Sequence, residues 1–110
     1  MTDCELLELA AKAAGIKLSP LETRWDDDVG EMVSWNPLED DGDALRLAVK
    51  LRLRVFTPTT DTDVAIASCG DVRTTGHVHE YSEDEYSTDN LAATRRAIVR
   101  AAAEIGKGMK

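Results

Sequence analysis

An α+β domain, with three helices around a mainly antiparallel sheet, is the fold class this sequence predicts. Three observations carry that expectation. Apolar residues recur at helical spacing near residues 3–14, 40–52 and 89–105, each run opened by a capping signal. Between them lie short runs bounded by Gly, Pro and Asp, which read as strands and turns. The resulting order is helix, two strands, helix, two or three strands, helix, without the strict strand–helix alternation of a parallel sheet. At 110 residues the chain fits one domain, 1–110, with 106–110 as a frayed tail. A domain of this size hides roughly 60% of its unfolded surface and has little spare core.

The first helix rests on "TDCELLELAAKAAG". Thr2 and Glu5 form a capping box, with acid in the first turn. Leu6, Leu9, Ala10 and Ala13 share a face, and Gly15 suits the residue just past the end. Two short strands follow, roughly 21–25 and 31–35, joined by an acidic turn at Asp26–Asp28 and Gly30. Pro37 then ends the strand, and Asp40 or Asp41 caps the second helix. In that helix Ala44, Leu45, Leu47, Ala48, Val49 and Leu51 form a wide apolar stripe, with Arg46 and Lys50 outside it.

"LRVF", "VAIASCGD" and "VRTTGHVHEY" read as strands, with "CGD" as a hairpin turn. In the last of them, Val72, Thr74, Gly76, Val78 and Glu80 share one face; Arg73, Thr75, His77, His79 and Tyr81 share the other. "TPTTDTD" and "SEDEYSTD" are polar connections. Thr88 or Asp89 caps the third helix, Leu91, Ile98, Ala102 and Ile105 face inward, and Gly106 ends it. The expected core is Leu6, Leu9, Leu45, Val49, Ile66, Leu91, Ile98 and Ile105.

Charge narrows the function classes. The formal net charge is −8 and the pI about 4.6, which opposes direct nucleic-acid binding unless a basic face is set apart. Cys4 and Cys69 are too few and too distant to suggest a disulfide framework, so a reducing compartment is expected. The acidic start "MTDCELLELAAKAAG" is no signal peptide, and no run is long enough to span a membrane.

"WNPLEDDGDALRLAVKLRL", followed by strands and then by "DNLAATRRAIVRAAAEIG", resembles a group of small proteins encoded in tailed phages and prophages of Gram-negative bacteria, the phage α-β-α sandwich domains. The resemblance covers about Trp35–Gly106, and the N-terminal "ELLELAAKAAG" helix is also typical. It implies a phage accessory protein acting in the host cell cytoplasm. The group brings no agreed catalytic residues and no cofactor.

Several residue sets merit a chemical reading. His77 and His79 lie on one strand face and can approach one metal, with Cys4, Glu83 or Asp61 as distant candidate ligands. No motif supplies those ligands at a recognisable spacing, which favours two exposed strand histidines. Asp61 and Asp63 form an Asp-x-Asp pair of the sort that holds Mg²⁺, but no third carboxylate or phosphate-cradling loop accompanies them, and a solvated turn is the better reading. Ser68 and Cys69, with the histidines, lack the glycine turns of a nucleophile site. Arg46, Lys50, Arg52 and Arg54, and Arg95, Arg96 and Arg100, form two basic helical stripes without interleaved aromatics.

The acidic tracts are more distinctive. From Glu22 to Asp43 the chain has nine acids and one base, and from Glu80 to Asp89 five acids and no base. Trp25 and Trp35 flank the acidic turn, as core residues or as an interface anchor. The favoured reading is a non-enzymatic protein that binds a host protein with a basic surface, and so inhibits host defence, through Trp25, Asp26, Asp27, Asp28, Glu31, Asp40, Asp41 and Asp43. A small metal-dependent hydrolase on His77 and His79, and a homo-oligomeric module such as a homodimer, are the alternatives.

Overall fold

The structure is a computed structural model, and it describes residues 2–18, 23–26, 30–58, 64–77 and 90–109. Its elements are α1 (Asp3–Ala14), β1 (Thr23–Asp26), β2 (Glu31–Ser34), α2 (Asp41–Leu51), β3 (Arg54–Phe56), β4 (Val64–Cys69), β5 (Val72–His77) and α3 (Asn90–Lys107). This is the expected α+β class, with three helices and antiparallel strands. The strands divide into two sheets: a β1–β2 hairpin and a three-stranded meander in the order β3–β4–β5.

The helix ends follow local chemistry. The Thr2 hydroxyl accepts from the Glu5 amide at 3.2 Å, and Gly15 closes α1 at φ 71°. At α2 the cap is Asp40, whose carboxylate accepts from the Asp43 amide at 2.8 Å. The turn before it is folded by Asn36, whose side-chain oxygen accepts from the Leu38 amide at 3.1 Å. Gly70 opens the β4–β5 turn at φ 58°, the position where a two-residue hairpin needs glycine.

The register sorts the meander into two faces. Val55, Ala67 and Thr74 lie in one row and Ala65 and Gly76 in the next, and this face packs on α3. Phe56, Ile66 and Thr75, and Arg54, Ser68 and Arg73, form rows on the opposite face. On its far side α3 packs against α1, which runs in the same direction: Asp3 pairs with Arg96, Leu9 lies over Gly106, and Lys12 donates to the Met109 carbonyl. The layers therefore run sheet, α3, α1, with α2 beside α3. No described helix covers the outer face of the meander.

A helix enclosed on several sides must be apolar nearly all round. Accordingly Ala93, Ala97, Ile98, Val99, Ala101, Ala102, Ala103 and Gly106 of α3 are buried. Small side chains let its neighbours approach closely. A Cβ added at Gly76 would lie 2.1 Å from the Ala93 carbonyl oxygen, and one at Gly106 would lie 2.1 Å from that of Leu9. Gly106 was expected to end α3; instead the helix runs through it to Lys107, because the glycine serves contact with α1.

The core expectation needs correction at three positions. Leu6 and Ile98 are buried and Leu9, Ile66 and Ile105 half-buried, but Leu45, Val49 and Leu91 are 65%, 69% and 61% exposed. The buried arc of α2 is Asp43, Ala44, Leu47 and Ala48, so the small residues, not Leu45 and Val49, turn toward α3. Trp35 is core, at 3% exposure.

Candidate functional site

The predicted interface residues that the structure describes lie on β1, on β2 and at the start of α2. Trp25 and Asp26 lie on β1, with Asp26 opposite Glu31 in the hairpin register. Glu31 is exposed at the start of β2. Asp27 and Asp28 lie outside the described residues, as do Asp61, Asp63, His79 and Glu83.

Asp40, Asp41 and Asp43 gather at the start of α2, where the fold already employs them. Asp43 is 6% exposed and accepts from the Asn36 amide at 3.0 Å and from Arg46 Nη2 at 2.6 Å. Arg46 also lies 3.8 Å from the Asp40 carboxylate. Asp41 pairs with Arg95 at 2.5 Å. The acids thus cap a helix, close the loop before it and hold α3 in place.

Of the depressions beside α2, two reach its first turn. The first, about 660 Å³, lies between the β1–β2 hairpin and the start of the helix. Arg24, Arg46, Asn36, Glu39, Asp40 and Asp43 line it, and much of its charge is matched internally. The second, about 310 Å³, is an apolar groove between α2, β3 and α3, walled by Ala44, Leu45, Ala48, Val55, Leu91 and Ile98. Asp41 and Arg95 stand at its border, so an ion pair edges an apolar floor. Sequence periodicity missed this groove because it assigned Leu45 and Leu91 to the interior.

The second basic stripe is structural. Arg95 Nε donates to the Leu38 carbonyl at 2.8 Å, Arg96 pairs with Asp3 at 2.6 Å, and Arg100 donates to the Thr75 carbonyl at 2.7 Å. Each arginine ties a different element to α3. The first stripe breaks up: Arg46 joins Asp40 and Asp43, while Arg52 and Arg54 lie beyond the end of α2.

The nucleophile reading loses its geometry. His77 sits opposite Val64 and Ser68 opposite Arg73. Four strand residues, about 13 Å, separate those rows. The Cys69 thiol is half-buried and lies 3.8 Å from the Leu51 carbonyl oxygen. Among the described residues, no three His, Cys, Asp or Glu side chains form a metal-ligating group. No described helix is long and apolar enough to cross a membrane.

Protein-family models, curated proteins and solved structures yield no match to this chain.

Proposed function

We propose that this protein is a small non-catalytic binding module whose apolar groove on α2 receives a protein partner presenting apolar anchors among basic residues. The groove carries this reading. Leu45 and Leu91 on its walls leave more than half their surface open, and large aliphatic side chains grouped in this way are what a partner's anchors cover. The net charge of −8 favours a basic partner and speeds its approach. Exposed Glu31, Glu39 and Asp71 have no cationic partner among the described residues, which leaves part of that charge free to act.

The resemblance of Trp35–Gly106 to small phage proteins supports a bacterial host protein as the partner, host-defence inhibition as the result and the host cytoplasm as the place of action. The decisive measurement uses a partner captured from host lysate and then purified. Leu45→Asp with Leu91→Asp should weaken its binding at least tenfold with the melting temperature preserved, and rising salt should weaken binding of the parent protein. Wild-type affinity in the double variant overturns the groove reading. Asp26→Asn, Asp27→Asn and Asp28→Asn together measure what these three acids add, whereas His77→Ala with His79→Ala should leave binding unchanged. Light scattering tests the competing case, in which two copies of the chain pair through the groove.

A further inference from the structure

The chain has eight arginines. Arg46, Arg95, Arg96 and Arg100 have the partners described above, and Arg24 is also engaged within the fold. The side chains of the other three, Arg52, Arg54 and Arg73, have no hydrogen bond or ion pair among the described residues, and all three lie at one corner of the molecule. Arg52 follows α2, Arg54 opens β3, and Arg73 is the second residue of β5.

The register explains why they converge. Arg54 is opposite Ser68, and Ser68 is opposite Arg73, so the three form one row on the outer face of the meander. The two arginines are two strand spacings apart, about 10 Å, within reach of one compact ligand above Ser68. A cavity of about 350 Å³ opens beside this row, lined by Arg52, Arg54, Ser68, Cys69 and Gly70. All three arginines are exposed. Asp71, in the adjoining turn, is the nearest carboxylate in sequence and has no ion pair with them.

A second observation points the same way. Arg52 is the one non-glycine residue with positive φ among those described, at 56°. Helices usually place glycine there, since a Cβ in the left-handed region carries a steric penalty. The left-handed backbone holds a third cation beside two unneutralised arginines despite its steric cost, and a bound anion relieves the repulsion among the three.

We propose that this corner is an anion site for a phosphate group, either free or carried on a small phosphomonoester. Guanidinium forks match a phosphate's oxygens in pairs, and the Ser68 hydroxyl supplies a further donor between them. A long polyanion fits poorly, because only three arginines are gathered here and the surrounding chain is acidic.

The test is a titration of the purified protein, followed by NMR amide shifts and melting temperature, with inorganic phosphate, glycerol phosphate and a short single-stranded oligonucleotide as probes. Saturable binding of either phosphate compound, with shifts centred on Ser68–Arg73, is expected. Arg54→Gln with Arg73→Gln should weaken that binding at least tenfold. Arg52→Gly adds a readout of opposite signs: it should raise the melting temperature of the free protein while weakening phosphate binding. Tighter preference for glycerol phosphate identifies an organic phosphomonoester as the ligand, and equal affinity identifies free phosphate. Absence of saturation, binding unchanged in the double variant, or oligonucleotide affinity that exceeds both phosphates and grows with length would each overturn the proposal.

Discussion

Arg52 and Asp43 show how single residues set local stability here. Arg52 adopts φ 56° at the end of α2, where its amide still bonds to the Val49 carbonyl at 3.2 Å. Glycine keeps that bond without the Cβ penalty, so Arg52→Gly should stabilise the protein by about 1 kcal/mol in urea titration. Asp43 works in the other direction. Its buried carboxylate satisfies the Asn36 amide and Arg46, and Asp43→Ala leaves that amide unpaired. A loss of about 2–3 kcal/mol is expected, against about 1 kcal/mol for removing the more exposed Asp40 cap. These roles were partly legible in the sequence. Capping depends on residues three or four apart, so Thr2, Gly15 and Asp40 announce themselves. Asp43 did not, because its second partner, Asn36, lies across a loop whose path only the fold defines.

At the scale of elements, the contrast between α2 and α3 decides what could be foreseen. Periodicity identified both helices and their approximate lengths. It could not orient α2, because six apolar residues make a stripe wider than the arc a neighbour covers. The alanine-lined surface of α3 accepts close approach, so Ala44, Leu47 and Ala48 turn inward and Leu45 and Val49 remain outside. Leu45→Ala should therefore change stability by less than about 0.5 kcal/mol, whereas Ile98→Ala should cost about 2–5 kcal/mol. Gly106 was ambiguous for a related reason: glycine near a helix end suits either a stop or a close contact, and only the partner distinguishes them. Because a Cβ there would collide with the Leu9 carbonyl, Gly106→Ala should destabilise by about 1–3 kcal/mol despite its better helix propensity. Chemical denaturation of the three variants side by side checks both assignments. The groove and the arginine corner were illegible in the sequence because each joins residues from separate elements.

For the whole molecule, the radius of gyration is 14.0 Å, close to the roughly 13 Å expected of one folded domain this long. The sheet, α1 and α2 all meet on α3, and α1 packs little against the meander directly. That arrangement constrains the timing of assembly. The hub is the last element of the described chain, so the earlier elements leave the ribosome before the surface that unites them exists. Until α3 follows, α1 faces water with Leu6, Leu7, Ala10, Ala11 and Ala14 uncovered, and the meander with Ala65 and Ala67. Contacts between the first and last helices also close a loop of nearly the whole chain, an arrangement that slows folding relative to a bundle of local contacts. A nascent chain halted before Asn90 should therefore remain open to protease, and protection should arrive in one late step once α3 has cleared the exit tunnel.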